Sequence, residues 1–217
     1  MRLLALYLTS ITCGFCMMAL ELLGARLVQP VFGSSVDVWA AIITVFILSL
    51  SIGYVIGGRV ADRAKGNLPL AWVIIAAGIF YCLIPIYALR FNEALGPEIH
   101  AAKWGVLLAG LVLFLPPSLL LGCVSPMLVK LVFTSADRVG QTTGTLYAVG
   151  SFGNVLGILV ADYVLLAYAP LNPTLIGMGA ALLALGLLHL AIRVEATNAG
   201  NKPSGDTTAI ANSGNSL

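Results

Sequence analysis

The chain has 217 residues, of which 59% are hydrophobic and only 9% are charged, and its formal net charge is +2. Because a soluble domain carries roughly 25% charged residues, this composition excludes an ordinary soluble protein and predicts that a lipid bilayer is the main solvent. The small net charge provides no basic field for nucleic acid. The four cysteines lie in apolar runs, which argues against a secreted disulfide framework.

Six apolar runs are each close to or above the roughly 20 residues that a membrane-spanning helix requires. The predicted helices comprise residues 3–28, 38–59, 68–89, 104–133, 143–167 and 172–192. Pro30 and the turn after it are expected to end the first helix. Glu21 lies in the region where a secretory signal would have small cleavage-site residues. We therefore expect the first helix to be retained and not cleaved off. The sequence therefore predicts an all-α, polytopic transmembrane bundle over residues 1–193.

The fourth run is longer than a straight span needs, because about 30 residues at 1.5 Å per residue extend about 45 Å. Pro116 and Pro117 lie inside it and Pro126 follows, and proline kinks or breaks a helix. We favour one tilted, kinked helix over two short helices. Two short spans would move the C-terminus to the other side of the membrane.

Positive charge near the helix ends predicts the orientation, since Lys and Arg are enriched on the cytoplasmic side. With the N-terminus inside, Arg90 and Lys103 lie on the outer side, and Arg26 lies near the outer end of the first helix. The inner cations are Arg2, Arg59, Arg63, Lys65, Lys130, Arg138, Arg193 and Lys202. We therefore predict a multi-pass protein of the cell inner membrane with both termini in the cytoplasm.

Residues 194–217 form a polar segment of small residues without a hydrophobic period. Such a segment cannot bury enough apolar surface to offset the entropy of ordering. We therefore predict a disordered cytoplasmic tail after the last helix.

Three of the ionisable residues within the predicted helices stand out: Glu21, Arg26 and Asp162. Such groups are costly in lipid and are functional candidates by default. Glu21 and Asp162 lie slightly past the midpoints of two helices that cross in the same direction, so their depths should match. Arg26 is separated from Glu21 by about 140° around the helix axis, which favours a partner on another helix. A structural ion pair and a cation or proton site both remain open interpretations, with Asn154 as a further candidate.

Glycines recur four residues apart on two predicted helices, as Gly53 and Gly57 on the second and Gly153 and Gly157 on the fifth. This spacing lets a neighbouring helix approach closely in lipid, so we predict helix packing at these positions. The chain otherwise shows no strong sequence repeat, so a three-plus-three internal symmetry is not established by the sequence.

The chain contains no Ser-His-Asp set, phosphate-binding loop or zinc-ligand spacing, and we predict no enzyme active site, no cofactor and no metal site. Cys13 and Cys16 have the C-x-x-C spacing of thioredoxin-like redox motifs, but they lie within a membrane helix. We interpret them as small residues at a helix interface.

The end of the second helix, with Gly58, Asp62 and Arg63, resembles the first half of the loop signature between helices 2 and 3 of major facilitator transporters. The chain does not match the second half of that signature, because it continues Ala64-Lys65-Gly66. The alternative interpretation is an ordinary basic helix end. Four segments have an order and spacing that resemble the membrane half of fused major-facilitator/spermidine-synthase-like proteins. They are residues 14–35, 53–63, 115–131 and 139–157.

This resemblance implies half of a major facilitator fold, without the aminopropyltransferase-like domain that usually follows, so that activity is not expected of this chain. Two functions remain open. The first is transport or channelling of a small organic cation such as a polyamine, supported by Glu21 and Asp162. The second is a non-transporting membrane anchor or assembly subunit for a soluble synthase-like enzyme or a larger complex. A homodimer would restore a twelve-helix transporter.

The charge distribution makes the topology testable. A cytoplasm-active reporter fused after Leu217 should be active, and a periplasm-active reporter at the same position should be silent, because eight of the eleven cations lie on the predicted inner side. A fusion that is active only outside the cytoplasm would contradict this orientation.

Overall fold

The computed structural model describes residues 2–64, 66–94, 104–132 and 139–192, and these ranges form helices and their connections. The long helices are α1 Arg2–Phe32, α2 Val36–Arg63, α3 Leu68–Ala94, α4 Gly105–Val132, α5 Val139–Val160 and α6 Leu171–Ala191. The π-helical segment Ala161–Leu165 and the short helix Leu166–Tyr168 continue α5. In the described part, six helices are long and apolar enough to cross a membrane, so this is an all-α, multi-pass membrane protein. The predicted tail at 194–217 lies outside the described residues.

The fourth run forms one continuous helix, α4, so the prediction of one span is confirmed. Pro117 lies inside this helix and removes the backbone donor that would bond to the carbonyl of Leu113. The Tyr87 hydroxyl of α3 donates to that carbonyl at 2.8 Å. A neighbouring helix thus satisfies the carbonyl that the proline leaves free, which is how prolines are tolerated within membrane helices.

We predicted that Pro30 and the turn after it end the first helix. The turn does so, but Pro30 does not, because α1 continues through Pro30 to Phe32. A proline in the last turn removes only one backbone bond, and its fixed φ is helical. Gly33 follows the helix with φ +78°, a conformation that costs glycine little, and its N–H donates to the carbonyl of Gln29 at 2.8 Å. Ser35 then caps α2, so a short turn joins the two helices.

Three helix pairs make the most extensive contacts: α1 with α5, α2 with α4 and α3 with α6. The four predicted packing glycines lie against the backbone of the partner helix in the first two pairs, where an added Cβ would clash. The partners are Leu119 for Gly53, Cys123 for Gly57, Ile11 for Gly153 and Phe15 for Gly157. Residue numbers rise together along both pairs, so the helices within each pair are parallel. The third pair is antiparallel, because Gly179 contacts Cys82 while Gly186 contacts Ala71.

These contacts recur in the two halves of the bundle. The glycine pairs of α2 and α5 lie 100 residues apart, and their contact partners on α1 and α4 lie 108 residues apart. The same two offsets relate the contact of Gly14 with Gly150 to the contact of Gly122 with Leu50. Helices α1–α3 and α4–α6 are therefore two structural repeats. Because each repeat contains an odd number of spans, the two are inverted relative to each other in the membrane.

Buried polar side chains join α1, α6 and the start of α3 at the end of the bundle where α1 begins, which we call the N side. Thr9 Oγ1 donates to the carbonyl of Ala5 at 2.7 Å, so His189 Nε2 is the donor in its 2.7 Å bond with Thr9. Asn67 Nδ2 donates to the carbonyls of His189 and Ile192 at 2.8 and 2.7 Å. These bonds fix the end of α6 against the rest of the bundle.

Gly57→Leu and Gly153→Leu should each lower the thermal stability of the bundle. Overpacking costs about 1–3 kcal/mol, which corresponds to about 2–12 °C in Tm for a chain of this size. Gly144→Leu is the matched control, because an added Cβ there has no neighbour within 4 Å. The apparent Tm can be followed in mild detergent through tryptophan fluorescence. If both interface variants melt like the control, the glycine faces do not carry the packing.

Candidate functional site

A cavity of about 190 Å³ lies between α1, α2, α4 and α5, and we call it the central cavity. Its wall mixes apolar side chains with uncharged polar groups. The polar residues are Ser10, Tyr54, Ser125, Tyr147, Ser151 and Asn154. Asn154 was predicted as a candidate site residue, and its Oδ1 lies beside Gly14, where α1 and α5 meet. Among the described residues, the lining of this cavity offers hydrogen bonds but no formal charge.

A second cavity, of about 220 Å³, lies at the end of the bundle opposite the N side, and we call it the Arg26 cavity. Arg26 of α1 and Asp162 of the π-helical segment both line it, and both side chains are exposed. The guanidinium of Arg26 donates through Nη1 to Gln29 Oε1 at 3.1 Å and makes no ion pair with Asp162. Trp39 and Ser34, near the start of α2, complete part of the wall. The cavity therefore contains one cationic and one anionic side chain that do not pair with each other.

The π-helical segment positions Asp162. Ala161 is fully buried, and the next side chain, Asp162, is exposed. A π-helical turn contains an extra residue and changes the face on which the following side chains lie, and such turns are frequent at functional sites. Asp162 lines the Arg26 cavity.

Glu21 is half-buried and lines neither cavity. It follows Met17 of the central cavity by four residues and precedes Ala25 of the Arg26 cavity by four, so it lies on the same face of α1. Among the described residues, Glu21 makes no hydrogen bond or ion pair. The structure thus places the Glu21 carboxyl between the two cavities, whereas Asp162 lines the Arg26 cavity.

An opening of about 380 Å³ on the N side, which we call the N-side groove, brings together part of the transporter-like loop motif. Gly58 and Asp62 line it with Lys130 and Tyr147. Arg63 is exposed and lies outside this lining. The ammonium of Lys130 donates to the carbonyl of Ala61 near the end of α2. Because Tyr147 also lines the central cavity, the groove and that cavity are adjacent.

Sequence reasoning did not single out several residues that line these cavities, namely Gln29, Trp39, Tyr54, Tyr147 and Lys130. Lys130 entered only the charge count. The polar ends of these side chains within apolar runs were the available signal. The pairing of helices that brings them together was not predictable from spacing alone.

The two cysteines of the C-x-x-C spacing are buried free thiols. Cys13 lines the central cavity, and the carbonyl of Cys16 accepts a hydrogen bond from the Tyr81 hydroxyl at 2.8 Å. Both lie at helix contacts. Among the described residues, no group of three or more His, Cys, Asp or Glu side chains is arranged to hold a metal ion.

Comparison with known proteins identifies no relative of this chain. No protein-family model, no curated protein and no solved structure matches the chain. The cavities, their charges and the helix pairing are the observations on which a functional argument rests.

Proposed function

We propose that this chain is a membrane module that transports or channels a small organic amine, with polyamines as the example that the family resemblance suggests. The observation that carries the proposal is a single face of α1 that lines both cavities. On this face Met17 lines the central cavity and Ala25 lines the Arg26 cavity. Glu21 lies between them. A route along this face would pass a carboxyl group near the middle of the bundle.

Glu21 and Asp162 are the side chains that we assign to amine binding. Neither makes a hydrogen bond or ion pair with the described residues, and an unpaired ionisable group within a membrane segment is costly. An ammonium group supplies three donors to such a carboxylate. The inverted repeats support the same reading, because substrate sites of many transporters lie near the midplane between such repeats.

The orientation of the chain in the membrane is also part of this proposal. With the N side in the cytoplasm of a cell whose inner membrane holds the protein, the N-side groove opens towards cytoplasmic amines. Gly58, Asp62 and Arg63 would then form the conformational loop that the transporter-like motif suggests. A separate synthase-like protein could supply product at this groove.

A second copy of the chain would complete the route. The fifth span is the least buried of the six, with 17% of its most apolar window buried against 33–56% in the others. Its exposed face adjoins the central cavity, whose lining includes Tyr147 and Ser151. Because polar groups beside a cavity are better covered by protein or water than by lipid, we assign this face to the contact between two copies.

Native mass spectrometry from mild detergent should therefore give twice the 22.6 kDa chain mass. Val155→Trp adds bulk to the exposed face of α5 and should shift the population to monomer. Leu187→Trp, on the exposed face of α6, is the matched control and should leave the dimer intact. A wild-type chain that is monomeric in both detergent and nanodiscs would rule out this contact.

Transport is tested in proteoliposomes with labelled putrescine. Glu21→Gln and Asp162→Asn should each reduce uptake at least tenfold, because a hydrogen bond to a charged group contributes about 1.5–3 kcal/mol and 1.4 kcal/mol is a factor of ten. Asp37→Asn removes an exposed carboxylate that lines neither cavity and should change uptake less than twofold.

Two results would contradict the proposal. Wild-type uptake equal to that of empty liposomes would favour the anchor or assembly role. Robust wild-type uptake that survives in the Glu21→Gln, Asp162→Asn double variant would show that transport does not use these carboxylates.

A further inference from the structure

We propose that the Arg26 cavity selects a zwitterion, a molecule that carries both an ammonium and a carboxylate, over a simple amine or a diamine. This inference rests on the proposed function and narrows its substrate class. It follows from the two opposite charges, Arg26 and Asp162, that line one cavity without pairing.

The register of α1 and α5 explains why these two side chains remain apart. Gly153 and Gly157 contact Ile11 and Phe15, so residues of the fifth span lie level with α1 residues 142 positions earlier. Asp162 is therefore close to the level of residue 20. Arg26 lies six residues farther along α1, or about 9 Å along the axis at 1.5 Å per residue. A small molecule with charges at both ends can bridge such a separation.

The end of the cavity near α2 favours an anion. The guanidinium of Arg26 has five donors, and Gln29 accepts from Nη1, so donors remain for a carboxylate. The N-terminal end of the 28-residue helix α2 adds partial positive charge near the lining residues Ser34 and Val38. Asp37 in the first turn of α2 opposes this effect, but it does not line the cavity.

The end of the cavity near the fifth span favours a cation. Asp162 provides a carboxylate with no partner among the described residues. A diamine would place its second ammonium towards Arg26, where like charges repel. A carboxylate at that position is attracted instead.

The size of the cavity is compatible with a small zwitterion. A volume of about 220 Å³ corresponds to roughly seven water molecules at about 30 Å³ each. An amino acid with a short carbon chain fits this space.

Three probes with the same four-carbon chain test the inference: 4-aminobutyrate, putrescine and butyrate. Isothermal titration of the full chain in nanodiscs of uncharged synthetic lipid should show 4-aminobutyrate binding at least tenfold more tightly than either of the others. Arg26→Gln should weaken 4-aminobutyrate at least tenfold and remove its advantage over putrescine. Asp162→Asn should weaken 4-aminobutyrate at least tenfold and leave butyrate within twofold. Asp37→Asn is the control and should preserve the order of the three probes.

The order of the three probes on the wild-type chain does not depend on whether a variant folds. Putrescine binding more tightly than 4-aminobutyrate would overturn the zwitterion inference and leave amine transport standing. No binding of any probe would also overturn it, and the proteoliposome uptake of putrescine then decides the proposed function separately. Replacing the nanodisc lipid by phosphatidylethanolamine tests a lipid headgroup as the ligand. If that lipid abolishes 4-aminobutyrate binding by competition, the cavity holds a zwitterionic headgroup and not a soluble substrate.

Discussion

Direct backbone contact at glycines, between α1 and α5 and between α2 and α4, is the constraint on which the rest of the structure depends. Lipid provides no hydrophobic force between helices, so the close approach of backbones must supply dispersion contact. A glycine carries no Cβ to prevent that approach, and Gly57 and Gly153 lie directly against partner backbone. The same contacts set the register of each pair. They therefore determine which side chains share a depth and where the cavities form.

Polar groups within the bundle lie where a neighbouring helix or a cavity can accommodate them. Tyr87 satisfies the carbonyl that Pro117 leaves free, and Lys130 donates to a carbonyl near the end of α2. The Asn67 side chain donates to two carbonyls at the end of α6. Glu21 and Asp162 depart from this rule among the described residues. Ser118 Oγ and His189 Nδ1 are also buried without a hydrogen-bond partner among the described residues. Glu21 and Asp162 differ from them in carrying ionisable carboxyls within membrane helices, and such groups are functional candidates.

Much of the fold follows from the sequence, since run length predicts six spans and the glycine spacing predicts which faces pack. It does not predict the partners, because a face of small residues accepts any close backbone. The internal repeat was not evident because it preserves contacts rather than residue types: Leu119 and Cys123 occupy the places of Ile11 and Phe15. The placement of Arg26 and Asp162 in the wall of one cavity requires both the α1–α5 register and the π-helical segment, and neither has a clear sequence signal.

The inverted repeat has a consequence for direction. Asp62 and Asp162 are 100 residues apart, the offset that relates α2 to α5, so they occupy equivalent positions at opposite ends of the bundle. Each shares its cavity with a cationic side chain, Lys130 at one end and Arg26 at the other. For the transport role proposed above, each entrance thus presents one carboxylate and one cationic side chain to the substrate. A zwitterion has no net charge, so its net flux would follow its concentration gradient, because the membrane potential acts on net charge, at about 2.3 kcal/mol per elementary charge at 100 mV.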